Sequence, residues 1–252
     1  MNESLQSALR KLRLSGLAGT LEVRLQEAAA SRLNHAEFLE VALQDELAVR
    51  SDRQVERRVK AAMFREMKTL EDFDWQFNPS LKKRQIYELA TCQFVHQGKD
   101  ILLLGPPGTG KSHLAQALGY QAIRAGLLVL YRSIFDVVRD FLHDEAFEGQ
   151  DKVLARYLKP DLLIIDEFGF DKIERAECPE AAHLLYKIIA SRNQKRSTAL
   201  VTNVDFDKWG DYLPDGPIAM AFLDRLVEGA IILKIQGKSY RAHRPKDGGK
   251  PA

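Results

Sequence analysis

The apolar residues of the first seventy positions recur at the three- and four-residue spacing of amphipathic helices, and this stretch contains no proline. The pattern is interrupted at Ser15–Gly19 and then resumes. Asn34 followed by Glu37 has the spacing of a helix N-cap, which predicts a long helix running toward Lys68. Residues 1–70 are therefore predicted to form a small all-α N-terminal domain.

After residue 80 the pattern changes, because short apolar runs begin to alternate with amphipathic stretches. Runs suited to strands buried on both faces lie at 101–104, 127–131, 162–165, 199–202 and 231–235. Helical stretches lie at about 81–94, 112–125, 134–143, 151–158, 178–193 and 217–228. This alternation predicts a parallel sheet with right-handed crossovers and a ligand site at the carboxyl ends of its strands.

Composition separates the remaining segments. Residues 71–80 are aromatic and acidic and are predicted to be a linker, residues 81–245 carry the alternating pattern, and residues 246–252 read as a flexible basic tail. Cys92 and Cys178 lack the spacing of a zinc site or of a disulfide framework. Because the chain has no apolar run long enough to span a membrane and no signal-peptide pattern at its start, we expect a cytoplasmic protein without membrane contact.

Positive charge is concentrated at two places, although the formal net charge is only +2. The residues of a basic stripe with helical spacing, predicted to contact DNA, are Arg50, Arg53, Arg57, Lys60 and Lys68. The C-terminal tail is also basic. These clusters predict a polyanionic partner such as duplex DNA, held mainly through its phosphates. A solvated helix face with internal salt bridges is the alternative.

Residues 105–112 form a complete G-x-x-x-x-G-K-S pattern between a predicted strand and a predicted helix, which is typical of a phosphate-binding loop. Its glycines allow consecutive backbone N–H groups to converge on a phosphate, Lys111 would reach the β- and γ-phosphates, and Ser112 would ligate Mg²⁺. ATP and Mg²⁺ are the predicted cofactors. The residues predicted to hold the nucleotide are Gly105, Pro106, Pro107, Gly108, Thr109, Gly110, Lys111, Ser112 and His113.

Polar residues end the two strands that follow. Asp166 and Glu167 close one apolar run, where Asp166 would hold Mg²⁺ and Glu167 would polarise the attacking water. Asn203 closes the next run and would hydrogen-bond a γ-phosphate oxygen and the water; a plain strand-ending turn is the alternative. Since parallel strands end at the same edge of a sheet, we expect Asn203 to lie beside the two acids.

Arg225 stands near the end of the last long helical stretch. It could reach the γ-phosphate held by a neighbouring subunit and stabilise the charge of the transition state. Arg192 and Arg196 compete for this role, and a salt bridge of Arg225 to Asp224 or Glu228 is the simpler explanation.

These elements, in this order, resemble those of the AAA+ ATPases, and the chain is similar to their IstB/DnaC branch, most of all to IstB. The motifs that carry the resemblance are Gly105–Ala115, Leu163–Gly169, Ser197–Asn203, Trp209, Asp224–Leu226, Gly237–Arg241 and Phe73–Trp75 of the linker. The resemblance covers nearly the whole chain. It implies that Asn203 is a sensor residue, that Arg225 acts in trans within a homo-oligomer, and that Phe73 helps to hold the adenine. It also implies ATP-dependent assembly on duplex DNA and delivery of that DNA to a transposase.

The expected fold is therefore α/β: a P-loop AAA+ domain with a five-stranded parallel sheet flanked by helices, preceded by the small all-α domain. A C-terminal helical lid is expected to be lacking, because the seventeen residues that follow Ile235 are too few for its three helices. We expect a neighbouring subunit to complete the nucleotide pocket. Arg241 is a candidate replacement for the arginine of the missing lid.

Two other functions remain open at this point. A DnaC-like loader would have the same ATP site but would bind a replicative helicase through its N-terminal domain. A small-molecule kinase is disfavoured, because Glu167 beside Asp166 suits the activation of water and no arginine-rich lid follows the phosphate loop.

Overall fold

The computed structural model describes residues 3–144, 149–169, 181–212 and 216–243. The chain forms two compact units, Met1–Arg58 and Val59–Ala252. This division lies earlier than the boundary expected at residue 70. Residues after Arg58, including the buried Leu70, belong to the second unit.

Helices α1 (Glu3–Lys11), α2 (Ser15–Ser31) and most of α3 (His35–Ala62) form the N-terminal unit. The break predicted at Ser15–Gly19 is wrong, because these residues begin α2 and the chain turns before them. Gly16 instead permits close packing, since a Cβ there would lie 2.9 Å from the Glu46 backbone of α3. The Glu46 carboxylate accepts hydrogen bonds from the N–H groups of Gly16 and Leu17 and so caps α2.

The predicted N-cap of α3 is confirmed. The Asn34 side chain accepts a hydrogen bond from the Glu37 N–H at 3.0 Å, and the Glu37 carboxylate accepts one from the Asn34 N–H at 2.8 Å. The predicted extension to Lys68 is wrong, because α3 ends at Ala62 and Met63 takes a left-handed conformation with φ 60°. Lys68 therefore does not lie on the helical part of the basic stripe.

The second unit continues with two short helices, α4 (Lys83–Ala90) and α5 (Gln93–His96), where the sequence predicted one. The helix is divided because Cys92 between them has a left-handed backbone with φ 60°. The elements that follow are β1 (Ile101–Leu104), α6 (Lys111–Arg124), β2 (Val129–Ser133), α7 (Ile134–Arg139), a π-helical turn (Asp140–Asp144), α8 (Gln150–Leu158), β3 (Leu162–Phe168), α9 (Ala181–Arg192), β4 (Ser197–Thr202), a 3₁₀ helix (Phe206–Asp211), α10 (Gly216–Val227), β5 (Ile231–Lys234) and α11 (Tyr240–His243). Cys178 and the start of the helix predicted at 178–193 lie outside the described residues.

The strands form a five-stranded sheet in the order β2-β3-β4-β1-β5, in which every neighbouring pair is parallel. The predicted α/β fold is confirmed. Strands β1, β3 and β4 are inner strands, and their aliphatic side chains are buried. Because the strands are parallel, Leu104, Phe168 and Thr202 end at the same edge of the sheet, and the candidate functional residues lie at or just beyond these strand ends.

After β5, residues 235–243 contain the short helix α11 and no helical bundle. Residues 244–252, which include the predicted tail, lie outside the described part of the chain. None of the helices in the described ranges combines the length and the apolar character needed to cross a membrane.

Two buried charged residues anchor the other end of the sheet. The Arg192 guanidinium, at the end of α9, donates hydrogen bonds to backbone carbonyls, including those of Tyr157 at 2.8 Å and Pro160 at 2.9 Å. The Asp100 carboxylate, just before β1, accepts a hydrogen bond from the Thr198 N–H at 2.6 Å. Burial raises the pKa of Asp100 to about 7, although the Thr198 N–H and Arg192 partly oppose this shift.

The raised pKa of Asp100 predicts a pH-dependent stability. Between its unfolded value of 3.8 and about 7, the folded chain binds a proton that the unfolded chain releases. The free energy of unfolding should therefore fall as pH rises through this window, by at most about 1.4 kcal/mol per pH unit. Asp100→Asn keeps an acceptor for Thr198 and should flatten this slope in urea denaturation series. The exposed Asp224→Asn should not; identical slopes for wild type and Asp100→Asn would contradict the prediction.

Candidate functional site

The loop between β1 and α6 contains positions whose backbone conformation only glycine readily adopts. Gly105 has a φ of 150° and Gly110 a φ of 93°, both outside the range that L side chains favour. At Gly105 a Cβ would also overlap the carbonyl oxygen of Ile235, the residue after β5. The loop crest at Pro106 and Pro107 is exposed, and the chain enters α6 directly after Gly110.

Lys111, the first residue of α6, is a buried cation. Only 5% of the residue is exposed, and its Nζ donates hydrogen bonds to the carbonyl oxygens of Gly105 and Pro106, both at 2.7 Å. Burial lowers the pKa of Lys111 to about 8; nearby Asp166 opposes this shift and Arg241 adds to it. Within the described ranges no carboxylate forms an ion pair with Lys111. A buried ammonium whose partners are neutral oxygens is suited to an incoming phosphate.

Thr109 and Ser112 form hydrogen bonds within the loop and the first turns of α6. The Thr109 hydroxyl donates to the Pro106 carbonyl at 2.9 Å, which closes the loop on itself. Ser112 lies in the first turn of α6 and is half-buried, and its carbonyl accepts a hydrogen bond from the Gln116 side chain at 3.2 Å. The predicted phosphate-binding residues thus lie together around one turn.

The acids predicted at the end of β3 differ in their surroundings. Asp166 is buried, and its carboxylate accepts hydrogen bonds from the Tyr131 hydroxyl at 2.6 Å and from the Glu167 N–H at 2.7 Å. Burial, together with Asp166, raises the pKa of Tyr131. The β3–β4 register shifts between Ile165 and Phe168, and within this irregularity Glu167 has a left-handed backbone with φ 62°.

Glu167 forms a bidentate ion pair that was not predicted from the sequence. Arg65 Nη1 and Nη2 each lie 2.6 Å from one oxygen of its carboxylate. Hydrogen bonding to Glu167 raises the pKa of Arg65, and burial partly opposes this. Arg65 was visible in the sequence only as one more basic residue, and no local signal could have linked it to a residue 102 positions away.

Asn203 follows β4 at the sheet edge. Thr202 pairs with Leu104, so Asn203 is placed level with Gly105 at the start of the phosphate loop. Asn203 and this loop line a cleft of about 420 Å³ that is also bordered by Lys234 of β5. The structure brings Asn203 to the phosphate loop, as a phosphate-sensing role requires.

The linker packs against the first turn of α6. Phe73 is buried, with its ring 4.9 Å from that of Trp75 and 5.1 Å from that of His113. A Cβ at Gly110 would lie 2.7 Å from the Phe73 ring. His113 Nε2 lies 2.7 Å from the Thr69 carbonyl oxygen. His113 and Phe73 therefore hold the linker beside the phosphate loop.

The segment after β5 also packs on the phosphate loop. The Tyr240 N–H donates to the Gly108 carbonyl at 2.9 Å, and a Cβ at Gly108 would overlap the Ser239 side chain. Arg241 lies on α11 of this segment, and its charge adds to the lowering of the Lys111 pKa. The segment that carries Arg241 thus packs against the phosphate loop.

The three candidate arginines for action in trans are not equivalent. Arg192 is 1% exposed and bonded to backbone carbonyls of its own subunit, so it is not available to a neighbour. Arg196 forms an ion pair with Asp161 at 2.6 Å. Arg225 is exposed on α10 and lies 3.5 Å from Glu228, a surface contact of little strength.

The predicted DNA contacts divide in a similar way. Arg50 pairs with the buried Glu46 at 2.7 Å, Arg53 donates to the Ser15 hydroxyl, and Lys68 pairs with Glu66 at 2.6 Å. The remaining two, Arg57 and Lys60, are exposed on α3 at a spacing of three residues. Arg50 and Arg53 are exposed as well, but within the described part of the chain Arg57 and Lys60 are the members of the stripe whose side chains have no ion-pair or hydrogen-bond partner.

A phosphate loop after β1 and an Asp-Glu pair at the end of β3, on a parallel sheet of this order, define the ATP-binding domain of the AAA+ class. Solved structures agree with this fold. The DnaC helicase loader matches with a TM-score of 0.54 and 21% identity, covering 66% of this chain and 96% of that one. DnaA bound to AMPPCP and single-stranded DNA matches with a TM-score of 0.54 and 23% identity, covering 70% of this chain and 52% of that one.

Sequence comparison defines the family more closely. The family described as IstB-like ATP binding protein matches residues 7–247, and the chain belongs to it. A protein of insertion sequence IS21 from Pseudomonas aeruginosa, named for ATP binding, is 36% identical over 245 residues, covering 97% of this chain and 91% of its own. One of insertion sequence IS5376 from Geobacillus stearothermophilus is 33% identical over 241 residues, with 96% and 94% covered.

Proposed function

We propose that this protein hydrolyses ATP, assembles on duplex DNA, and brings that DNA to the transposase of an insertion sequence. The observation that carries the proposal is the buried Lys111 at the start of α6, which has no carboxylate partner within the described ranges, beside a sheet that also presents Asp166 and Glu167. Family membership supplies the insertion-sequence context. The direct test measures phosphate release from ATP, and transposase retention on DNA, with and without this protein.

Each side chain has a distinct part in the proposed hydrolysis. Lys111 binds the β- and γ-phosphates, Glu167 accepts a proton from the attacking water, and Asn203 orients that water. Ser112 and Asp166 are the residues that would hold Mg²⁺, and both supply the oxygen atoms that this ion prefers. When bound, Mg²⁺ neutralises charge on the phosphates.

The exposed position of Arg225 supports the proposed assembly. In the proposed homo-oligomer, Arg225 of one subunit contacts the γ-phosphate bound by the next, and Arg241 covers the nucleotide within its own subunit. ATP would then favour the assembled state, since it makes contacts that exist only between subunits.

The exposed pair Arg57 and Lys60 is proposed to contact DNA phosphates. Removing two phosphate contacts should make the slope of log affinity against log salt shallower by about 1.8. We therefore expect the double variant Arg57→Ala, Lys60→Ala to bind every duplex more weakly and with this smaller slope, measured by fluorescence anisotropy between about 50 and 200 mM salt.

The matched control for this measurement is Arg84→Ala, which removes an exposed cation from α4. It should leave both affinity and slope unchanged. A double variant with the wild-type slope would contradict the assignment of these two residues. Binding of the full chain to a replicative helicase rather than to duplex DNA would favour the loader alternative.

A further inference from the structure

The cleft at the carboxyl ends of β4, β1 and β5 carries two opposite charges that the proposed hydrolysis does not use. Its volume is about 420 Å³, and the start of the phosphate loop forms part of its wall. The polar side chains that line it are Asn203, Asp205, Lys234 and Gln236. Within the described part of the chain, none of these four side chains forms a hydrogen bond or an ion pair. They are therefore open to a partner from outside the subunit.

The two charged residues of the cleft are both exposed. Asp205 directly precedes the 3₁₀ helix, but its carboxylate accepts no capping hydrogen bond from that helix. Among the described residues Lys234, at the end of β5, has no carboxylate partner, and Asp205 does not pair with it. A surface that presents a cation to Asp205 and an anion to Lys234 would pair with both.

The chain carries such a pair of charges at the end of α10. Arg225 and Glu228 lie 3.5 Å apart, and their side chains are 47% and 49% exposed. A surface ion pair of this kind contributes little to stability. Either side chain can therefore exchange its partner at small cost.

The end of α10, Arg225–Gly229, is a projecting corner with a fixed backbone, here called the α10 corner. Phe222 and Leu226 of the same helix are fully buried, and the Asn193 side chain donates to the Arg225 carbonyl at 2.8 Å. Gly229 has a left-handed backbone with φ 71°, and a Cβ there would meet no described residue within 4 Å. The α10 corner can therefore enter a concave surface without rearrangement of its backbone.

The α10 corner and the cleft belong to opposite ends of β5. The corner precedes the strand, whose first residue, Ile231, donates to the Asp100 carbonyl, whereas Lys234 is the last residue of the strand. Within one subunit, Glu228 accordingly pairs with Arg225 and not with Lys234. Complementary surfaces at two different places on one molecule join its copies head to tail.

We propose that the cleft is the docking site for the α10 corner of a second copy of this chain, with Lys234 pairing with Glu228 of the partner subunit and Asp205 with Arg225 of the partner subunit. The inference rests on the proposed function, because it names the surface through which the homo-oligomer assembles. A guanidinium has five N–H donors, so the partner's Arg225 can bond Asp205 and a phosphate of ATP together.

The first test exchanges the two charges and measures assembly by sedimentation velocity with Mg²⁺ and a non-hydrolysable ATP analogue. Lys234→Glu and Glu228→Lys each place like charges across the contact and should raise the concentration needed for assembly about tenfold. The double variant restores the attraction and should assemble within about twofold of wild type. Arg84→Glu and Glu88→Lys make the same charge changes at exposed positions of α4 and should assemble as wild type does.

The exchange also separates a contact between subunits from a direct effect of Lys234 on ATP. Lys234 lines the same cleft as the phosphate loop, so its reversal alone can weaken ATP binding. Glu228 is separated from that loop by the length of β5, so rescue by Glu228→Lys requires a partner subunit.

A separate variant tests the other half of the contact. Asp205→Asn removes the charge that the partner's Arg225 would bind, and it should raise the concentration needed for assembly about fivefold. Assembly of Asp205→Asn at the wild-type concentration would overturn this half of the docking site.

The second test detects the contact by cross-linking in a Cys178→Ser background, in which the remaining Cys92 is buried. A chain with both Glu228→Cys and Lys234→Cys should form a ladder of disulfide-linked multimers on mild oxidation with the ATP analogue, because each copy offers both sides of the contact. A chain with either cysteine alone should remain uncross-linked.

The outcomes separate the two proposals. A wild-type protein that neither hydrolyses ATP nor assembles refutes the proposed function. If wild type does both, single reversals that assemble normally, a double variant that does not recover, or the absence of the ladder overturns the docking site alone. Loss of duplex DNA binding in Lys234→Glu that Glu228→Lys does not restore would assign Lys234 to DNA and also overturn it. Circular dichroism of each variant confirms that it is folded.

Discussion

Replacing Lys111 with alanine is expected to weaken ATP binding by about 100-fold or more, because about two charge-assisted hydrogen bonds to phosphate are lost. Hydrolysis and ATP-dependent assembly should be lost with it. Among the described residues Nζ donates hydrogen bonds to the carbonyl oxygens of Gly105 and Pro106 and to no carboxylate, so the substitution removes no ion pair from this part of the fold. Titration of a fluorescent ATP analogue measures the change.

The control for this variant is Lys99→Ala, which removes an exposed lysine from the segment just before β1. It should bind ATP as wild type does. Thermal denaturation establishes that Lys111→Ala is folded. Wild-type ATP affinity in a folded Lys111→Ala protein would refute the assignment of residues 105–112 as the phosphate site.

The second large effect is expected from Glu167→Gln, which should slow ATP hydrolysis by about 10² to 10⁴-fold, the usual contribution of a general base. Glutamine keeps the shape of the side chain but cannot accept the proton. ATP should still bind, and the assembled state on DNA should last longer because hydrolysis no longer ends it. Phosphate release and gel filtration with ATP and duplex DNA measure these two results.

Glu88→Gln provides the same chemical change at an exposed position of α4 and should hydrolyse ATP at the wild-type rate. If Glu167→Gln retained the wild-type rate, another group would have to activate the water. If it lost ATP binding, Glu167 would act in binding rather than in the chemical step.

Most of the sheet could be predicted because its strands have strong local patterns. The run at 101–104 matches β1 residue for residue, and the run at 231–235 extends only one residue beyond β5. Buried parallel strands require continuous apolar side chains, so each one is visible in its own sequence. The phosphate loop and the Asp-Glu pair were equally visible, since their chemistry depends on adjacent residues.

The errors arose where packing overrides a local pattern. Gly16 looked like a helix break but provides contact with α3. The basic spacing continued across Met63, whose left-handed backbone ends the helix. Arg192 looked available for a neighbouring subunit, yet its guanidinium is buried among backbone carbonyls. In each case the deciding contact comes from a distant part of the chain or from a single backbone angle.

By itself the sequence determined the order of strands and helices, the phosphate loop and the acids of β3, because these depend on spacing along a few neighbouring residues. Only the tertiary structure showed which of the basic side chains form ion pairs. It also showed that the Glu167 carboxylate is paired with Arg65, 102 positions away. It also packed the segment that carries Arg241 against the phosphate loop. The reason is that ion pairs form between side chains that the fold brings within hydrogen-bonding distance. The periodicity of the sequence does not show which distant residues come into contact.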